Sequence, residues 1–163
     1  MPPKPPLDCS SFQHIPLVTE DGSYDDLAKE TVLLERMRER AESYVRAFPW
    51  APPIKAMLLA FGASEILALY LVRFEHAIED TGDEELWVLV GDLPAMYFVT
   101  DHAERPSLAL AVYCELAENW ADAVLSNGDL SQVYPVAEPT RDRANILLTT
   151  TTFIRAKIIP DLE

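Results

Sequence analysis

The sequence predicts an α+β fold: a three-stranded antiparallel meander with helices packed on one face. Three observations predict it. Two short apolar runs, Leu86-Trp-Val-Leu-Val90 and Met96-Tyr-Phe-Val-Thr100, are bounded by turn residues, as paired strands are. Long stretches before and after them repeat apolar residues at three- and four-residue steps, the spacing of a helix face. The chain has 163 residues, 49% of them hydrophobic and 25% charged. That is enough to bury roughly 70% of its unfolded surface in one core without metal or disulfides.

The elements follow in order. Residues 1–22 read as an extended proline-rich N-terminal arm, because Pro2, Pro3, Pro5 and Pro6 favour polyproline II. Residues 23–163 read as a single α+β domain. Ser23-Tyr-Asp-Asp26 resembles a capping box and opens a helix over about 24–47. Its stripe is Leu27, Leu34, Met37, Ala41, Tyr44, Val45 and Phe48. Pro49 stops it, and Trp50 in the stiff linker Pro49-Trp-Ala-Pro-Pro53 plugs a gap in the core.

Residues 54–78 are apolar on both faces, so periodicity does not separate helix from strand. Split at Gly62, they give a short helix over 54–61 and a strand over 66–76; the alternative is one helix over 54–78. Glu79-Asp-Thr-Gly-Asp83 and Gly91-Asp-Leu-Pro94 are turns that join the strands. Arg105-Pro106 opens a helix with stripe Leu110, Tyr113, Cys114, Ala117, Trp120, Ala121, Val124 and Leu125, and Asn127-Gly128 ends it. Residues 129–138 are a loop. A last helix over about 140–159 carries Ala144, Leu147, Leu148, Thr151, Ile154 and Ile158 on one face, against the strand preference of Thr149–Thr152.

Ala56–Val72 is apolar enough to raise a membrane span, but it is short of the roughly 20 residues a span needs. Glu65 also lies within it, and a carboxylate there opposes insertion. Met1-Pro-Pro-Lys-Pro-Pro has no apolar signal-peptide core, and Cys9 and Cys114 read as free thiols. Both observations point to the cytoplasm.

The net charge is −14, and it is concentrated. Between Glu75 and Asp122 lie twelve carboxylates and one base, Arg105, a local net charge of −11. Phosphate recognition needs clustered Lys and Arg. Here Arg36, Arg38, Arg40 and Arg46 are interleaved with Glu35, Glu39 and Glu42, as on a solvated helix face. Nucleic acid is therefore not an expected partner.

The strand–turn–strand–helix stretch from Leu86-Trp-Val-Leu-Val-Gly-Asp-Leu-Pro94 through Tyr97-Phe-Val-Thr-Asp101 to Tyr113 and Trp120 resembles a family of uncharacterised bacterial proteins. That resemblance implies a bacterial origin and brings no activity with it. The order helix, meander, helix also looks like the small acidic chaperones of type III secretion systems, an analogy of topology, size and charge.

Four candidate chemistries each meet a simpler reading. Asp101-His102, with Glu104 beside them, could form a general acid–base pair; the simpler reading is a polar loop between strand and helix. Glu65 in apolar surroundings could titrate high, but Gly62, Ala63 and Ser64 suggest an exposed loop. Cys114 lies on a core stripe with Glu115 and Glu118 nearby, the setting of a structural thiol. His76 and His102 fall at opposite strand ends, which opposes a shared metal site. No phosphate loop, nucleophile elbow or His-Glu-x-x-His occurs, and no cofactor is expected.

The functional expectation is a non-catalytic acidic module that docks on a basic protein, as an immunity protein, an inhibitor or a secretion chaperone does. The expected contacts are Asp83, Glu84, Glu85, Asp101, Glu104, Glu115, Glu118 and Asp122, with Trp87 or Tyr97 as aromatic anchors. The rivals are a small hydrolase-like enzyme using Asp101, His102 and Glu65, a structural homodimer joined through the sheet or a long helix, and an acidic face that is only solvated.

Overall fold

The computed structural model describes residues 25–63, 67–101 and 103–162. The proline-rich arm, the first half of the capping box, Glu65 and His102 lie outside the described residues. The chain forms two compact units, Met1–Val99 and Thr100–Glu163.

The first unit is one helix on an antiparallel sheet. Helix α1, Asp25–Arg46, ends before Pro49 and the Ala51-Pro-Pro53 linker. Strand β1, Ile54–Ala63, stands where the sequence suggested a short helix over 54–61, so the sheet has four strands and not three. The single helix over 54–78 is excluded with it. The reason lies in the linker. A residue before proline is held extended, and the Pro53 carbonyl already accepts from the Glu75 backbone N–H at 2.9 Å. The chain therefore enters residue 54 paired to the next strand. Register shifts at Lys55 and Ala60 mark bulges that let β1 run ten residues against eight in β2.

β2 (Leu67–Phe74), β3 (Glu85–Gly91) and β4 (Met96–Phe98) complete the meander in the order β1-β2-β3-β4, all antiparallel. The β2–β3 connection closes through Ile78 N–H to Asp83 O at 2.9 Å and Gly82 N–H to Ile78 O at 2.7 Å. Gly82 takes φ +76°, a left-handed angle that a side chain would strain.

Alternation along β2 and β3 builds the core. Tyr70, Val72 and Phe74 of β2 and Leu86, Val88 and Val90 of β3 pack with Met37, Ala41 and Val45 of α1. Burying side chains of this size contributes about 1.5–3 kcal/mol each. Leu69, Leu71, Trp87 and Leu89 point to the other face and are also fully buried, which accounts for the absence of a polar alternation in the sequence.

The second unit is helical. α2 (Pro106–Leu125) begins with proline at its first turn, and the expected stripe from Leu110 to Val124 is buried, with Leu125 half-buried. Its end is a Schellman cap: Gly128 N–H bonds Ala123 O at 2.7 Å and Asn127 N–H bonds Val124 O at 3.3 Å. The left-handed residue is Asn127, at φ 54°, not the glycine after it.

α3 (Arg141–Phe153) is capped by the Thr140 side chain, which accepts from Arg143 N–H. It absorbs its threonines by back-bonding: Thr149, Thr150 and Thr152 donate to the carbonyls four residues earlier at 3.1, 3.1 and 2.7 Å. A π-helical turn over Ile154–Ile158 follows, with Ile159 N–H bonded to Ile154 O, and Ile159–Leu162 adds a last α-turn. Pro160 provides the cause. It brings no N–H to the Ala156 carbonyl and its ring crowds that oxygen; a turn widened by one residue relieves both. Ala144, Leu147, Thr151, Ile154 and Ile158 form the buried stripe, as their spacing suggested.

Candidate functional site

The carboxylates divide between the two units. In the first, the β2–β3 connection carries Glu75, Glu79, Asp80 and Glu84 exposed and Asp83 half-buried. Glycine and polar residues make this segment a turn, and the short backbone bonds at its base fix it to the sheet. Among the described residues, no cation forms an ion pair with any of these five carboxylates. Their charge is therefore presented to solvent from a fixed hairpin.

Glu85, next in sequence, behaves differently. It is only 7% exposed and accepts from Arg73 Nε at 3.1 Å across the β2–β3 ladder. It neutralises one base inside the fold and offers no contact to a partner. Trp87, an expected anchor, is fully buried and presents no surface either.

Tyr97 has a different setting. It lies on the short edge strand β4, opposite Val88, and is half-buried. Its ring centroid is 5.0 Å from Phe48, 5.0 Å from Trp50 and 6.3 Å from Tyr44. Phe48 stacks on Trp50 at 5.1 Å and meets Tyr44 edge-on at 5.2 Å. Four half-buried rings thus form one cluster where α1 ends and the linker begins. Offset and edge-on pairs of this kind contribute about 0.5–1.5 kcal/mol beyond the area they bury. Trp50 is three residues from Pro53, whose carbonyl accepts from Glu75 N–H, so Trp50 and the first residue of the acidic turn are joined by about 11 Å of chain and one hydrogen bond.

Beside the cluster runs an open cleft of about 680 Å³ lined by Arg36, Glu39, Arg40, Ser43, Tyr44, Val90 and Ala95. Arg40 donates to the Gly91 carbonyl at 3.3 Å across it. The alternating charges of α1 read as a solvated face, and nothing in them signalled a cleft. The aromatic cluster left a partial signal: Phe48 and Trp50 flank the helix-stopping proline, and Tyr44 is one turn before Phe48.

In the second unit, Asp101 and Glu104 are exposed ahead of α2, and Glu115 and Asp122 are exposed on it. Glu118 is not an open charge. Arg155 grips both its oxygens, Nε at 3.0 and 3.2 Å and Nη2 at 2.8 Å. That bond holds the Glu118 carboxyl below its ordinary value of 4.5 and raises the arginine in return.

Of the catalytic candidates, the structure describes Asp101 and Cys114. Asp101 is exposed, while His102 and Glu65 lie outside the described residues. Cys114 is fully buried, its Sγ 3.9 Å from the Thr151 carbonyl, and burial pushes its thiol up to about 12. A thiol so protonated is not a nucleophile at neutral pH. Among the described residues, no three of His, Cys, Asp and Glu converge as metal ligands, and no helix is long and apolar enough to cross a membrane. Compared with known proteins, the chain matches no family model, no curated protein and no solved structure.

Proposed function

We propose that this chain is a non-catalytic protein-binding module that docks on a basic partner protein, in the manner of an immunity protein, an inhibitor or a secretion chaperone. The observation that carries the reading is in the first unit. The turn Glu75–Glu84 carries five carboxylates with no ion-pair partner among the described residues, and its first residue is tied through Glu75 N–H to Pro53 O in the linker that carries the half-exposed Trp50, whose ring meets Tyr97. Aromatic anchors flanked by charge are the composition of an interface hot spot with a polar rim. Like charges gathered on one turn repel one another, and a basic partner relieves that repulsion while being steered to the site. Asp101, Glu104, Glu115 and Asp122 give the second unit a negative surface of its own.

The reading is tested with the product of the adjacent gene as the candidate partner, titrated at low and high salt. Binding that weakens steeply with salt supports it; binding indifferent to salt removes its electrostatic basis.

A second reading, a homodimer through a helix, is favoured by one observation. Ile146 and Phe153, seven residues apart on α3, are 66% and 42% exposed. Sedimentation at two protein concentrations addresses it.

A further inference from the structure

One wall of the open cleft is a stripe of α1. Arg36, Glu39, Arg40, Ser43 and Tyr44 recur at three- and four-residue steps, so they share one side of the helix. Val90 at the end of β3 and Ala95 just ahead of β4 supply apolar lining from the sheet. The Tyr44 ring is fixed by its contacts with Phe48 and Tyr97. A volume of about 680 Å³ falls in the range of small-molecule sites.

The charge of this wall differs in sign from that of the chain. Arg36, Arg38 and Arg40 against Glu39 and Glu42 leave +1 over residues 36–44, in a chain of net charge −14. Arg46, Arg73, Arg143 and Arg155 each form an ion pair with a carboxylate, whereas Arg36, Glu39 and Arg40 form none among the described residues. Arg40 Nη2 donates to the Gly91 carbonyl at 3.3 Å, which ties α1 to the end of β3 and holds the guanidinium over the cleft. A guanidinium has several N–H donors, so that bond leaves others to offer.

Two guanidiniums one helical turn apart can clamp a carboxylate. Glu39, beside them on the same wall, repels further negative charge and accepts from an N–H donor. A ligand that matches all three side chains carries one carboxylate and one ammonium. Its apolar body then meets Val90, Ala95 and the Tyr44 ring. Inorganic phosphate satisfies the arginines but sets its charge against Glu39.

We propose that the cleft binds a small zwitterion, an amino acid or dipeptide with apolar side chains, its carboxylate held by Arg36 and Arg40 and its ammonium by Glu39. Val90 and Ala95 take part of the apolar body out of water. The site uses none of the carboxylates of the acidic turn and needs no partner protein, so it stands or falls apart from the proposed function.

The test is nuclear magnetic resonance titration of the full ¹⁵N-labelled chain with leucine, phenylalanine and the dipeptide Leu-Leu. Each is taken to roughly 20 mM, above the millimolar constants expected of an open cleft. The expected result is saturable shifts centred on the amides of residues 36–44 and 90–95. Leucinamide, which lacks the carboxylate, and N-acetyl-leucine, which lacks the ammonium, should each bind at least about fivefold more weakly than leucine. Arg36 makes no hydrogen bond or ion pair among the described residues, so Arg36→Gln should keep the fold, as circular dichroism checks. That variant should bind leucine no better than leucinamide, and Glu39→Gln should bind leucine no better than N-acetyl-leucine. Absence of saturable shifts with all three probes overturns the proposal. So does leucine binding to Arg36→Gln as tightly as to the natural chain. Acetate or inorganic phosphate matching leucine in affinity also overturns it, because the arginines are then a general anion patch.

Discussion

Arg73 and Glu85 stand directly opposite each other on β2 and β3, and the Arg73 Nε donates to Glu85 Oε2 at 3.1 Å. The pair sits at the base of the acidic turn, where the two strands part. The carboxylate is 8% exposed and the guanidinium 31%, so this is a partly buried ion pair that pins the hairpin. Removing the arginine takes a charge-assisted partner from a carboxylate that is largely out of water. Arg73→Ala is therefore expected to cost about 2–3 kcal/mol. Urea denaturation measures it, and adding Glu85→Gln to that variant should recover part of the loss. Equal stability of Arg73→Ala and the natural chain would show that Glu85 is held by other groups.

Glu118 and Arg155 tie α2 to the π-helical turn by a two-oxygen grip. Both ends are partly exposed, so the grip contributes about 0.5–1 kcal/mol. Its pH dependence has a definite sign. The folded carboxyl titrates below its ordinary value of 4.5 because of the arginine. The stabilisation is present above that value and disappears as pH falls through the folded one. Glu118→Gln should thus lower stability at neutral pH and lose less on acidification than the natural chain does. Parallel stability–pH curves for the two would contradict the assignment.

Cys114 is expected to be inert while the fold persists. Burial holds its thiol up near 12, and the thiolate is the reactive form. In a Cys9→Ser background, a disulfide reagent at mildly alkaline pH should count no fast thiol until denaturant is added. Prompt reaction of the native variant would show an accessible sulfur.

Asn127 pays a backbone cost at φ 54° to close α2. Glycine adopts that angle without a Cβ clash, so Asn127→Gly should be neutral or stabilising by a few tenths of a kcal/mol. Asn127→Val should destabilise by about 1–2 kcal/mol, since a β-branched side chain is least tolerated there. Thermal midpoints of the two variants give the order.

The sequence made α2 legible because three signals agreed: proline at its start, one apolar stripe and a left-handed stop at Asn127-Gly128. β3 was legible because turn residues bounded a short apolar run on both sides. β1 was not. Ile54–Ala63 is apolar on both faces, and only its pairing with β2 makes it a strand, which no local period records. The acidic stretch was legible as composition but not as a surface. Glu85 and Glu118 differ from Glu84 and Glu115 only in having Arg73 and Arg155 across from them, and such partners are set by tertiary register. Trp87 and Tyr97 were equivalent as sequence; an inner-strand position buries one and an edge strand leaves the other half-exposed.

The central claim is that the acidic turn and the aromatic cluster together form a docking face for a basic protein. The most direct measurement is titration calorimetry of that partner against the natural chain, a Glu79→Gln, Asp80→Asn, Glu84→Gln variant and Tyr97→Ala, each at about 50 and 500 mM salt. The account predicts that the triple variant loses at least about tenfold in affinity at low salt and most of its salt dependence. It predicts that Tyr97→Ala loses affinity equally at both salts. Unchanged affinity and an unchanged salt slope in the triple variant would contradict it.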